Sequence, residues 1–166
     1  MPTLIRLDAA GFRLASNDWL DLGDEDEAVD GPILVSAARF AAQADELLTG
    51  NRPVGVRLRS EEPVEPLAYD LPRLALVALE FPKFRDGRPY TAAQLLRTRY
   101  GFTGEIRAVG EVLREQAGFM VRCGFDTFEP ADGSGPEDWG RAAGLFRHVY
   151  QVAADGRPPA FVERAR

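Results

Sequence analysis

The sequence predicts a single α/β domain with about four to five mostly parallel strands and alternating helices, preceded by a short N-terminal β-hairpin region. Two observations predict this class. Short apolar segments alternate about four times with segments whose apolar residues have helical spacing. Residues 74–79 are continuously apolar, which is typical of a parallel strand covered on both faces. The length of 166 residues suits one domain spanning 1–166.

Residues 1–31 are predicted to form a β region that ends in an acidic loop. Residues 4–8 and 12–14 alternate loosely between apolar and polar side chains, and turn-forming residues occupy 10–11 and 16–18. The acidic residues of the loop are Asp21, Asp24, Glu25, Asp26, Glu27 and Asp30. Two interpretations stay open for this loop: a solvated segment, or a docking patch for a basic partner.

Residues 32–155 are predicted to form the βα core. The predicted strands are short apolar runs at residues 33–35, 54–58, 74–79, 106–109 and 125–128. The predicted helices have apolar residues three and four positions apart, at residues 37–49, 91–100, 112–122 and 136–153. Ser36 is a predicted N-terminal cap, Thr91 opens a capping-box pattern, and Gly124 follows a helix end. Residues 156–166 contain proline and predict a loose tail.

Two closures of this sheet are compatible with the pattern: an open doubly wound sheet, or a curved sheet that resembles half of a β/α barrel. Single short helices join successive strands in the second half of the chain. This feature slightly favours the curved form, whose strands follow one another in chain order. The exposed edges of a half barrel need cover, and we therefore expect a homodimer.

Charge and residue usage exclude several function classes. The formal net charge is −6, which repels nucleic-acid backbones, so we expect no nucleic-acid partner. No segment reaches the ~20 apolar residues of a membrane span, and residues 1–11 lack a signal-peptide pattern. We therefore expect no membrane partner and a cytoplasmic location. With Cys123 and His148 as the sole residues of their types, we expect neither an iron–sulfur cluster nor structural zinc.

Charged side chains follow three of the predicted parallel strands, where α/β sheets bind their ligands. We predict an anion-binding set, because guanidinium and ammonium groups match small anions, and two carboxylates that transfer protons. The predicted anion-binding residues are Lys83, Arg85, Arg107 and Arg114, and the predicted catalytic residues are Glu80 and Glu111. A salt-bridge network that closes this end of the sheet is the alternative.

The two residues most often used in nucleophilic catalysis do not stand in a catalytic pattern. Cys123 lies at the predicted C-terminal end of a helix, where the helix dipole does not lower a thiol pKa. We therefore predict a buried structural thiol. His148 lies among aromatic residues without a motif around it, and we predict a packing or surface role.

The segment from Glu80 to Glu129 resembles a known bacterial family. The motifs that carry the resemblance are EFPKFRDGR at 80–88, LLR at 95–97, GEIRAVGEVLR at 104–114 and RCGFD at 122–126. This order of motifs is similar to a bacterial domain-of-unknown-function family whose members are labelled as an oxidoreductase of sulfite reduction. The family often has aspartate where this chain has Glu111, which preserves the carboxylate.

The resemblance implies a context in sulfate assimilation and cysteine biosynthesis, with sulfite reductase as the expected partner. It implies no catalytic residues and no identified cofactor. Three functions stay open: an accessory or electron-transfer protein of assimilatory sulfite reduction, a small enzyme acting on an anionic sulfur or phosphate metabolite, and a non-catalytic scaffold.

Overall fold

The sheet of this protein curls like half of a barrel, and its parallel strands are neighbours in the order in which they follow one another along the chain. The structure is a computed structural model that describes residues 3–27 and 29–165, so the predicted domain limits Met1 and Arg166 lie outside the described residues. The described strands are β1 (Leu4–Asp8), β2 (Gly11–Ala15), β3 (Leu20–Asp21), β4 (Ile33–Ser36), β5 (Val54–Leu58), β6 (Leu76–Phe81), β7 (Glu105–Gly110) and β8 (Thr127–Phe128).

The strand order is β2-β1-β8-β7-β6-β5-β4-β3. Strands β3 to β8 are parallel to one another, whereas β1 pairs antiparallel with both β2 and β8. The prediction of four to five strands is therefore too low. It missed two-residue β3 and counted β1 and β2 apart from the sheet, because strands this short or weakly alternating carry little apolar signal. The curved closure and the N-terminal hairpin are confirmed.

The helices of the described chain are α1 (Ala37–Leu47), α2 (Arg88–Thr98), α3 (Ala117–Cys123), α4 (Pro136–Ala143) and α5 (Ala160–Glu163). Ser36 caps α1 as predicted, and its hydroxyl accepts a hydrogen bond from the Arg39 N–H. The predicted start of α2 at Thr91 is wrong: the helix begins at Arg88, because Pro89 fits a first helical turn that needs no N–H donor.

The C-terminal region departs most from the prediction. The predicted helix 136–153 ends at Ala143, where Gly144 follows, and the chain then continues without regular structure to Pro159. In the predicted loose tail, α5 forms and the Ala160 N–H donates to the Val149 carbonyl at 2.7 Å. No helix within 3–27 and 29–165 is long and apolar enough to cross a membrane.

The two faces of the sheet differ in chemistry because side chains alternate along each strand. On β5, Val54, Val56 and Leu58 join the main hydrophobic core. Gly55 and Arg57 lie on the opposite, concave face. Trp19 covers part of that face, and a Cβ added at Gly55 would lie 3.1 Å from the Trp19 ring. The N-terminal segment thus covers part of the concave face through Trp19 and through Asn17, which contacts Arg107.

Candidate functional site

A cleft of about 530 Å³ opens at the carboxyl ends of β3, β4, β5 and β6. We call it the strand-end cleft, and its lining residues are Asp21, Leu22, Gly23, Asp24, Ser36, Ala38, Arg57, Arg59, Glu62 and Glu80. Its volume lies in the range of small-molecule sites, and its position is the one that parallel α/β sheets use for ligands.

Two arginines provide the cationic part of the cleft. The Arg57 guanidinium donates to the Asp21 carboxylate, but its Nε is buried and has no hydrogen-bond partner among the described residues. Arg59 follows β5, and its exposed guanidinium makes no ion pair within the described chain. A buried donor without an acceptor costs free energy, so the free energy of the folded state includes this penalty at Arg57.

The acidic loop is folded against this cleft. The Ser36 hydroxyl donates to Asp24 at 2.6 Å, and the Gly23 N–H donates to Asp26 at 2.8 Å. The buried Arg39 donates to the backbone carbonyls of Gly23 and Asp26, the latter at 2.5 Å. The loop is therefore held by side-chain contacts and forms one wall of the cleft.

Glu80 is the predicted catalytic residue that lines the cleft. It belongs to β6 and is half-buried, and its carboxylate has no hydrogen-bond or ion-pair partner within the described chain. Glu62 differs, because its carboxylate accepts a hydrogen bond from the Arg59 N–H at 2.7 Å and holds the loop after β5. Glu80 is thus the carboxylate of the cleft that is free to contact a ligand.

Arg107 lies deep on the concave face and is 1% exposed. Its guanidinium pairs with Glu105 at 2.8 Å and lies 3.5 Å from Glu129, and it donates to Asn17 Oδ1 at 2.9 Å. Burial raises the pKa of Glu129, while the nearby guanidiniums of Arg107 and Arg57 act in the opposite direction. These contacts are those of a structural ion-pair network.

The other predicted residues lie outside the strand-end cleft. Lys83 and Arg85 line a separate depression of about 490 Å³ in the loop after β6, together with Asp86 and Arg88. Arg88 pairs with Asp86 at 2.6 Å and holds the pKa of that carboxyl well below its usual range. Glu111 accepts a hydrogen bond from the Phe84 N–H at 2.7 Å and fixes the same loop.

Arg114 is also remote from the cleft lining, since its guanidinium lies 3.7 Å from Glu115 and 3.8 Å from Asp132. The predicted charged residues therefore do not converge on one site, and Glu80 alone lines the cleft. Their functional roles stay predictions.

Sequence reasoning missed Arg57, Arg59 and Asp21 as cleft residues. The available signal was the alternation of side chains along β5. Arg57 is a charged residue within an otherwise apolar strand, and Arg59, two residues later, is expected on the same face of the sheet. Asp21 carried no comparable signal, because its pairing with Arg57 depends on the placement of the short strand β3.

Cys123 is buried, as predicted, and burial raises the pKa of its thiol to about 11. His148 is exposed and lies 2.6 Å from Glu163. Within the residues that the structure describes, no group of three or more His, Cys, Asp or Glu side chains is arranged to hold a metal ion.

A comparison with protein families identifies the family of this chain. The family model described as "Bacterial protein of unknown function (DUF934)" matches residues 55–161. No curated protein and no solved structure matches the chain.

Proposed function

The chain belongs to the DUF934 family of bacterial proteins of unknown function, and from that premise we propose that it binds a small anionic sulfur or phosphate metabolite within assimilatory sulfite reduction. The pathway rests on the resemblance of segments 80–88 and 104–114 to proteins labelled in that context. The binding function rests on the strand-end cleft.

One observation carries the proposal: the exposed guanidinium of Arg59 pairs with none of the described residues and lies beside Arg57 in a cleft at the carboxyl ends of parallel strands. Guanidinium forks bind sulfur and phosphorus oxyanions through charge-assisted hydrogen bonds. Glu80 lines the same cleft, so a bound anion would meet one carboxylate able to accept or donate a proton.

Isothermal titration calorimetry with sulfite and inorganic phosphate tests the binding function. Arg59→Ala should weaken anion binding about 10- to 150-fold, because a hydrogen bond to a charged group contributes about 1.5–3 kcal/mol. Arg141→Ala is the matched control, since that arginine is exposed and Asp138 in α4 is its ion-pair partner among the described residues. Equal affinities of wild type and Arg59→Ala, or the absence of any anion binding, would refute the proposal.

Growth experiments test the pathway. Deletion of the gene should impair growth on sulfate or sulfite as sole sulfur source, and cysteine should restore it. A plasmid copy carrying Glu80→Gln should fail to restore growth if this carboxylate transfers a proton. Normal growth of the deletion strain on sulfite, in a strain with no second copy, would remove the pathway from the proposal. A cytoplasmic location accompanies this pathway.

A second candidate function is docking to sulfite reductase, and one observation favours it. The irregular segment after α4 and the helix α5 expose five large apolar side chains: Leu145, Phe146, Tyr150, Val152 and Phe161. Exposed apolar patches often mark protein interfaces. Sulfite reductase should co-purify with the wild-type protein from native cells and should be lost with Phe146→Ser plus Tyr150→Ser. Phe84→Ser, at an exposed phenylalanine in the loop after β6, is the control.

Two further expectations accompany the proposal. The exposed edges of β2 and β3 favour a homodimer, which light scattering at several concentrations measures. Oxidoreductase activity, which the resemblance implies, requires a redox group, and an absorbance band of the freshly purified protein in the visible range would reveal one.

A further inference from the structure

An apolar groove adjoins the strand-end cleft. It measures about 430 Å³ and lies between α1 and the loop that follows β5. Its lining residues are Ala37, Ala38, Phe40, Ala41, Ala44, Leu58, Glu62, Pro63, Pro66, Leu67 and Asp70. Cavities of this size with mostly apolar walls are typical of sites that accept the hydrocarbon or ring portion of a small ligand.

The groove and the cleft share two lining residues. Ala38, in the first turn of α1, and Glu62, in the loop after β5, line both of them. Leu58 belongs to the groove, whereas Arg57 and Arg59 on either side of it belong to the cleft, because successive side chains of a strand point to opposite faces. A ligand that crosses the rim of the sheet at Ala38 can therefore occupy both.

The walls of the groove are apolar for identifiable reasons. On one side α1 presents alanines, whose methyl groups leave space that larger side chains would fill. On the other side Pro63 and Pro66 have restricted backbones that fix the loop. The buried side chains of Phe40 and Leu58 form the floor.

The charges determine how a ligand would be oriented. The cleft end carries Arg57 and Arg59 beside the carboxylates Asp21, Asp24, Glu62 and Glu80, and the Asp21 carboxylate is paired with Arg57. Among the described residues, the groove is lined by the carboxylates Glu62 and Asp70 and by no lysine or arginine. An anionic group can therefore pair with an arginine at the cleft end and has no such partner among those groove residues. The complementary ligand therefore has its anion at one end and an apolar portion at the other.

We propose that the ligand of this protein is an amphipathic organic anion, whose phosphate- or sulfur-based head binds Arg57 and Arg59 in the strand-end cleft and whose apolar portion lies in the adjoining groove. This inference rests on the proposed function and adds to it the class of ligand. It also identifies the alanine face of α1 as the surface that sets ligand size.

A series of alkyl phosphates tests the inference. Calorimetry would compare inorganic phosphate with ethyl, butyl and hexyl phosphate. Each methylene that enters the groove should tighten binding about three- to fourfold, the factor that corresponds to burial of one CH₂ group. Ala41→Trp should fill the groove and abolish the increase with chain length while leaving the affinity for inorganic phosphate unchanged.

Ala42→Trp is the matched control, because Ala42 is an exposed neighbour on the same helix that does not line the groove. The inference is supported if the increase with chain length is present in wild type and Ala42→Trp and absent in Ala41→Trp. Phosphate binding without any dependence on chain length overturns the inference and leaves the proposed function intact. A chain-length dependence that survives in Ala41→Trp also overturns it. Failure of all four compounds to bind refutes both.

Discussion

Replacement of Arg107 by alanine should destabilise the protein strongly, although the residue is charged and belongs to a predicted ligand site. Its guanidinium is almost completely buried and contacts Glu105, Glu129 and Asn17. Alanine would remove the cation and leave two carboxylates on the concave face without their main counter-charge. The cost would therefore come from the stranded charges more than from the lost contacts.

The magnitude follows from the remaining partners. Breaking a buried ion pair costs about 3–5 kcal/mol. Glu105 would keep Arg6 at 2.8 Å and the Thr127 hydroxyl at 2.6 Å, so the lower end of that range applies. We expect Arg107→Ala to reduce the free energy of unfolding by about 3 kcal/mol, which lowers Tm by roughly 6–12 °C in a domain of this size.

Urea titration and thermal unfolding, both followed by circular dichroism, measure this loss. Arg85→Ala is the control, because Arg85 is exposed in the loop after β6, and its unfolding free energy should stay within about 0.5 kcal/mol of wild type. The reasoning is refuted if Arg107→Ala lowers the free energy of unfolding by less than about 1 kcal/mol, which is the most that an exposed ion pair typically contributes. A larger loss of unfolding free energy in Arg85→Ala than in Arg107→Ala would also refute it.

Three further predictions concern other parts of the core. Arg97→Lys should lower the free energy of unfolding, measured by urea titration, by about 2 kcal/mol, because one ammonium cannot replace a guanidinium that donates to three backbone carbonyls and Asp126. An unfolding free energy equal to that of wild type would contradict this prediction. Gly110→Ala should destabilise by about 2 kcal/mol or more, since φ is +92° and the new Cβ would lie 2.4 Å from the Phe81 carbonyl oxygen; a wild-type Tm would argue against the strain. Because burial raises the Cys123 pKa from 9.0 to about 11, the unfolded thiol ionises first, so the free energy of unfolding should fall as pH rises from 9 to 11. Cys123→Ala should show a smaller fall over that range, and an unchanged pH dependence would contradict the assignment.

The parallel core was predictable because its strands are continuous apolar segments. The predicted strand 54–58 coincides with β5, and the Ser36 cap and the glycine after α3 were recognised from local chemistry. The end of α4 was not recognised, because residues 146, 149 and 150 continue the apolar spacing of a helix while their side chains do not all pack inward. The spacing of apolar residues in a sequence does not indicate which of those side chains pack against other residues in the folded protein.

The candidate site was harder to predict for a different reason. Position at a strand end placed Glu80 in the cleft, yet the same rule also selected Lys83 and Arg85, which the loop carries into another depression. Arg107 lies within β7, where its side chain is covered by Asn17 from the N-terminal segment. Contacts between residues so far apart in the chain follow from the tertiary structure and leave no local pattern.

The pairing of β1 with β8 has a consequence for biosynthesis. The parallel strands β4 to β7 pair with neighbours that are close in the chain, but Ile5 pairs with Phe128, which is made 123 residues later. The N-terminal hairpin therefore cannot dock on β8 until residues 127–128 have been made, and long-range pairing of this kind is slow. The contact between Asn17 and Arg107 in the folded protein belongs to the same N-terminal segment, so we expect the charged concave face to be hydrated until that segment docks. Docking of the hairpin is then the step at which we expect the charged side chains around Arg107 to become buried.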